Sequence, residues 1–346
     1  MPFKAIPMLR WDQDTLSLNQ NTFTRSAPSQ KICTLAVFFL LFAFLTTAVH
    51  AQIESTFSET ILNQKIGSAR LSTPLGLSAD PNGNLYIADT GNNRVLKLEV
   101  ESHTFRETGG FGFRDEEFDR PVDIWAANGL DVWVADYNNR RVKRYDKDLN
   151  FIASFYSDPA YDASVQFGYP AALTLSWQGE LFLADHDFNR MLRFDIFGAP
   201  VASFGDFSWG AGQLERPAKL LTARNGEIWA SDSLLHALMR YDAYGSFLGQ
   251  IGNSILARPS GMAEWGDRIL VADSERHRIF IFNKQGENLG EFGKAGHGAE
   301  EIFAPVDVAV LHEQKTGEAF TKISLAVLDA GNNRVQLFML KTRTRE

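Results

Sequence analysis

Six times along the chain, a short apolar run meets an aspartate and then a polar loop. The copies are "YIADTGNNRV" (86–95), "WVADYNNRRV" (133–142), "FLADHDFNRM" (182–191), "WASDSLLHAL" (229–238), "LVADSERHRI" (270–279) and "AVLDAGNNRV" (326–335). Asp89, Asp136, Asp185, Asp232, Asp273 and Asp329 follow one another at steps of 47, 49, 47, 41 and 56 residues. A second register runs in phase: Pro74, Pro121, Pro170, Pro217, Pro259 and Pro305 precede those aspartates by 15, 15, 15, 15, 14 and 24 residues. Self-similarity at this period is the signature of a repeat architecture. An aspartate present in every unit cannot be six catalytic acids; Asp and Asn side chains cap tight turns by accepting from nearby backbone amides.

Each unit reads as four short strands. Alternating apolar residues follow the proline, then a turn such as "PNGN", "WQGE" or "RNGE", a second strand, the Asp loop, a third strand such as "RVKRYD", and a fourth ending in "SFG" or "EFG". Four antiparallel strands make one propeller blade, so six units predict an all-β, six-bladed β-propeller over residues 52–346. The sixth unit alone carries an insertion, around "HEQKTGEAFTK", and ends on its third strand. Its missing fourth strand is expected from "SETILNQKIG" (58–67), which would lock the ring and leave no open sheet edge.

Ahead of the repeats, Lys31 precedes the charge-free run "CTLAVFFLLFAFLTTAV" (33–49), followed by "VHAQ". A short apolar core with small residues at Val49 and Ala51 is the pattern of an export signal, so residues 1–51 are expected to be an extension and signal peptide. The segment before the apolar run is long, which leaves a later start such as Met8, or an uncleaved inner-membrane anchor, as alternatives. Cys33 stands at the wrong end of the run for lipidation. Beyond residue 51 there is neither a cysteine nor an Asn-x-Ser/Thr acceptor, which points to a bacterial periplasmic or secreted protein. Net charge is −8 for the whole chain and falls to −10 once the basic leader is removed. That is a poor match for phosphate-dominated nucleic-acid binding.

The Pro-led first strand and the "ADTGNNRV" turn resemble the NHL repeat, and the likeness covers roughly residues 58–340. The resemblance implies a propeller scaffold and leaves function open, because propellers host unrelated chemistries. Known relatives of this kind include RNA-binding and protein-binding modules, sensor domains of bacterial kinases, and the peptidyl-hydroxyglycine amidating lyase. In the lyase, metal-binding histidines follow the blade-leading proline. Here that position holds Leu75, Val122, Ala171, Ala218, Ser260 and Val306, so the lyase chemistry is not carried over.

Other candidate sites are read from the residues. Asp123 and Asp307 stand two residues after their prolines, and Lys219 holds the same position in blade four. This set offers either a carboxylate metal site in the axial channel or an internal ion cluster. His186, His236 and His277 fall in consecutive Asp loops, too widely spread for one zinc ion, and are read as surface residues. No nucleophile elbow, phosphate loop or Cys/His dyad is present.

The position before the proline holds Thr73, Arg120, Tyr169, Arg216, Arg258 and Ala304. By the resemblance, these border one mouth of the channel with the Asp loops. Three arginines and a tyrosine there suit a carboxylate, phosphate or acidic peptide; the alternative is that Arg120 pairs with Asp119 and Arg216 with Glu215. Loops that depart from the repeat add Tyr137, His186, Phe188, Leu234, Leu235, Arg276 and His277 as candidates for specificity. The reading is therefore a binding propeller for a protein, peptide or small anionic ligand, with no cofactor. A metal-dependent hydrolase or lyase is the alternative, and RNA binding is a remote third.

Overall fold

The computed structural model describes residues 53–343, apart from residues 64, 209 and 317–319. The expected leader at 1–51 lies outside the described residues. Blade one is built from Gly76–Ala79, Leu85–Asp89, Arg94–Glu99 and Thr104–Gly109, paired in that order and antiparallel throughout. Blades two to five repeat the same order, each starting at its proline: Pro121–Trp125, Pro170–Leu175, Pro217–Thr222 and Pro259–Trp265. These inner strands touch their neighbours around a complete ring, with Pro305–Thr316 of blade six closing onto Gly76–Ala79 of blade one.

Blade six is made from both parts of the chain. Pro305–Thr316, Phe320–Asp329 and Arg334–Arg343 supply its inner three strands, and Glu54–Ile61 pairs with the last of them. The closing strand therefore begins and ends earlier than the sequence suggests. Leu62 adopts a left-handed φ of 56°, which turns the chain out of the ladder after Ile61. Ile66 and Ala69 instead lend their carbonyls to Arg94, at 2.9 and 2.8 Å. The insertion in unit six lengthens its first two strands.

Strict alternation along each strand divides the core. Leu85 and Ile87 pack with Ala326, Leu328 and Val335 of blade six, while Tyr86 and Ala88 face Ile124, Val132 and Val134 of blade two. Period-2 side chains thus glue every blade to both neighbours, and one apolar cluster fills each of the six interfaces.

A buried lysine departs from this pattern. Lys143 is fully buried among Phe118, Tyr145 and Phe151, and its ammonium donates to Glu117 O at 2.9 Å. Burial, aided by Arg141, pushes its pKa down to about 8. Between pH 8 and the unfolded value near 10.5 the unfolded chain holds the proton that the folded chain has shed, so stability rises with pH across that window. The Glu117 carbonyl also accepts from Arg141 at 2.9 Å and would not be orphaned by an apolar replacement. Lys143→Met is accordingly expected to stabilise the fold at pH 7 by about 1–2 kcal/mol and to flatten the rise above pH 8. Thermal unfolding at pH 7 and pH 9.5 checks this; a less stable variant would mean that the cation–π contacts outweigh the burial cost.

Candidate functional site

The Asp loop is a brace, and its geometry sets one mouth of the propeller. Asp89 ends its strand, Thr90–Asn92 form a single 3-10 turn, and Asn93 takes the left-handed conformation at φ 51°. Arg140, Asn189, His236, His277 and Asn333 do the same in the other loops, a region that Asn tolerates better than most residues. The arginine after this residue closes the brace in three blades: Arg94 donates to Asp89 at 2.7 Å, Arg141 to Asp136 at 2.7 Å and Arg334 to Asp329 at 2.8 Å. The other carboxylate oxygen of each pair accepts from the incoming connector, at Ser72, Asp119 and Phe303. In blade four, where Ala237 replaces the arginine, Asp232 is satisfied by the backbone amides of Glu215, Arg216, Leu234 and Leu235.

The left-handed residue then reaches the next blade. Asn93 accepts from the amide of Arg120 at 2.8 Å, Asn333 from Thr73 at 2.7 Å, and His277 from Ala304 at 2.9 Å. Each bond fixes a pre-proline residue whose own φ is positive: 61° at Arg120, 41° at Thr73 and 48° at Ala304. His236 makes the opposite bond: its Nδ1 donates to the carbonyl of Ala257, the residue ahead of Arg258. His236 and His277 therefore serve as clamps between blades. Among the described residues no three His, Cys, Asp or Glu side chains converge as a metal site would require.

Those clamps surround a basin of about 380 Å³ on the channel mouth, and it collects much of the predicted set. Arg120, Tyr137, His186, Arg216 and Arg258 line it, above a floor made by all six residues that follow the prolines. Five of these are Leu75, Val122, Ala171, Ala218 and Val306; the sixth, Ser260, spends its hydroxyl on the Ala272 carbonyl at 3.0 Å. The three arginines are exposed, and neither Asp119 nor Glu215 pairs with them. Among the described residues no carboxylate forms an ion pair with Arg120, Arg216 or Arg258.

An aromatic stack makes one wall of the basin. Arg120 lies 5.1 Å over the Tyr137 ring, which stacks on Tyr169 at 5.0 Å, and Arg140 covers Tyr169 at 4.4 Å while donating to its hydroxyl at 2.6 Å. His186 Nε2 lies 2.8 Å from the Pro217 carbonyl, which can only accept, so Nε2 carries the proton and Nδ1 faces the Tyr137 hydroxyl at 3.5 Å. Burial, with Arg216 adding to it, holds the His186 pKa below its usual value, and the imidazole is neutral at pH 7. The positive charge of the basin comes from its arginines.

The other predicted loop residues stay outside it. Phe188 is exposed under Arg190, whose guanidinium lies 4.5 Å over its ring, and Leu234 is also exposed, whereas its neighbour Leu235 packs into the core between blades three and four. His277 stacks on Phe303 at 4.7 Å. Arg140, which orients Tyr169, escaped the sequence reading because it occupies a loop position held elsewhere by Asn or His.

Directly below the floor, Lys219 reaches across the axis. Its ammonium donates to Asp123 at 2.6 Å and to Asp307 at 2.7 Å, joining blades two, four and six. Each aspartate also accepts from the next inner strand, Asp123 from the Leu173 amide at 2.8 Å and Asp307 from the Leu77 amide at 2.9 Å. Burial pushes Asp307 up to about 6, with Lys219 opposing and Asp123 adding. Burial alone would lower Lys219, but the two carboxylates outweigh it and raise its pKa. The metal alternative at Asp123 and Asp307 does not fit, because a resident cation already sits between them. The intervening blades carry Gly76, Ala172 and Gly261 at this level. A Cβ at Gly76 would come within 2.9 Å of the Asp123 backbone, and one at Gly261 would collide with Asp307, so glycine is required where the chains approach.

Comparison with known proteins agrees with this architecture. Residues 71–98 match the NHL repeat, and residues 253–341 match a family described as a 6-bladed β-propeller. A probable peptidyl-alpha-hydroxyglycine alpha-amidating lyase of Caenorhabditis elegans is 26% identical over 116 residues, which cover 32% of this chain and 33% of that protein. NHL repeat-containing protein 3 of Homo sapiens is 30% identical over 82 residues, covering 23% of this chain and 24% of that protein. The chain thus spans no more than about a third of the length of either relative. Among solved structures, a Bacteroides thetaiotaomicron protein of unknown function aligns with a TM-score of 0.59 at 14% identity, over 84% of this chain and 76% of that one, a likeness of fold. Repeat, ring and matches agree on a six-bladed β-propeller that carries NHL-type repeats.

Proposed function

We propose that this protein is an exported binding propeller whose arginine-bearing mouth takes an anionic group of a protein, a peptide or a small molecule. The observation that carries this reading is the convergence of Arg120, Arg216 and Arg258 on one basin without a carboxylate partner. Guanidinium groups left unpaired around a concave, carbon-floored site are suited to a carboxylate or phosphate that arrives with its own apolar body. The Tyr137–Tyr169 stack holds Arg120 at the wall, and the neutral His186, bonded to the Pro217 carbonyl, adds no charge of its own. Export rests on the apolar run at 33–49. The amidating-lyase activity named for the nematode relative finds no support in the six residues that floor the basin, none of which is a histidine.

The test is calorimetric titration with succinate, inorganic phosphate and a Glu-rich peptide at moderate salt. A charge-assisted hydrogen bond contributes about 1.5–3 kcal/mol, so each Arg→Ala substitution is expected to weaken the best probe about tenfold or more. The Arg120/Arg216/Arg258 triple alanine variant should abolish binding. Unchanged affinity in the triple variant, or no binding of any probe by the parent, eliminates this site.

A further inference from the structure

The Lys219 bridge splits the axial channel into two blind cavities, and the second opens on the opposite face, among the turns that join first and second strands. It measures about 310 Å³ and receives residues from all six inner strands. Its walls are mostly carbon, from Trp125, Leu175, Leu221, Met262 and Val310, and Trp177 stands at its lip with 71% of its surface exposed. Its size falls within the range of small-molecule pockets.

Hydrogen-bond accounting says what the polar groups in it still lack. Ser78 accepts from the Ala126 amide at 3.0 Å, so its hydroxyl proton is unspent. Thr174 accepts from the Thr222 amide and donates to the Thr222 hydroxyl, both at 3.2 Å, which leaves the Thr222 proton free. Asn128 Oδ1 accepts from Leu130 and Asp131, leaving its NH₂ free. Arg224 is exposed at the rim, and its guanidinium has no ion pair among the described residues; the nearby Glu264 is taken by Lys284 at 2.5 Å and by the Arg224 amide at 2.8 Å. Lys219 at the cavity's inner end has spent its three protons, on the two aspartates and on the Leu77 carbonyl at 3.4 Å. Every unspent group is therefore a donor, and the one unpaired charge is positive and lies at the mouth.

We propose that this cavity is a second ligand site, for an amphiphile with a compact apolar body and a single carboxylate-like head. The body fills the carbon-lined shaft. The head stays at Arg224, because one ammonium shared by two carboxylates leaves negative charge in excess at the inner end. The site is independent of the arginine basin and uses none of its residues.

Decanoate, kept below its micellar range, and decanol as the uncharged comparison probe the site by calorimetry on the purified propeller. Decanoate is expected to bind one to one. Arg224→Ala should weaken it at least tenfold while leaving decanol unchanged, and Trp177→Ala should weaken both. Arg216→Ala, on the opposite face, should alter neither, although it weakens the anionic probes of the basin. The proposal is overturned if decanoate does not bind, if Arg224→Ala binds it as tightly as the parent, or if Arg216→Ala removes it.

Discussion

Lys219→Met is expected to cost the propeller about 3–5 kcal/mol at pH 7.5, the penalty for leaving buried charges without their counterion. In a domain of this size that lowers the melting temperature by roughly 10 °C. The reason is local: Asp123 and Asp307 lie on either side of one nitrogen, and both are almost wholly buried. Acid should relieve the defect. Asp307 already titrates near 6 in the folded state, above its unfolded value of 3.8, so the folded chain holds more protons than the unfolded chain between those values. Its contribution is full below about pH 4 and is lost as the pH rises through about 6. Without the ammonium, this titration moves to higher pH. The variant should regain stability on going from pH 8 to pH 5 more steeply than the parent, and Lys219→Met with Asp307→Asn should recover much of the loss at pH 7.5. Thermal unfolding at four pH values decides it. A loss under about 1 kcal/mol, flat with pH, would mean that water replaces the ammonium and the channel is not plugged.

Deleting Glu54–Ile61 is the second large perturbation. The strand pairs from Glu54 with Lys341 to Ile61 with Val335, and it brings Phe57 against Phe338 at 5.8 Å. Burial of Phe57 and Ile61 alone is worth about 3–5 kcal/mol. Its loss also bares the whole edge of Arg334–Arg343, a template for pairing with another chain. The truncated protein is expected to melt at least 10 °C lower and to self-associate, as seen by light scattering. A permutant separates lost pairing from general damage. Because Glu54 lies opposite Lys341, a short turn can join residue 343 to residue 53, with new ends opened between Leu62 and Leu71. That protein should keep the parent's melting temperature; if it melts like the truncation, the closing strand is not what holds the ring.

The parts of this structure that were legible in the sequence are those that recur. The Asp loops, the prolines and the blade count repeat in register, and repetition averages out local noise. The arginine mouth was legible because register alone places Arg120, Arg216 and Arg258 at equivalent points of a ring. Lys219 was harder: its partners are 96 and 88 residues away, and only the width of the channel decides whether a lysine spans it. Asp123 and Asp307 therefore read equally well as metal ligands or as an ion cluster. The second cavity left no trace, since Leu175, Leu221 and Val310 look like any core residue until the ring closes around an unfilled shaft. Phe188 and Leu234 are exposed as their loops suggest but lie outside the basin, because departure from the repeat marks an exposed loop without saying where that loop points.

The axial level of the plug carries a rule of parity. Around the ring, the residues two after the prolines run small, large, small, large, small, large: Gly76, Asp123, Ala172, Lys219, Gly261, Asp307. Such a sequence closes on itself only when the number of places is even. Gain or loss of a single blade would set two small residues side by side over a void, or two charged side chains in the space of one. A chain of this kind can grow or shrink by pairs of repeats, so its blade number is held by an arithmetic written into one layer of six residues.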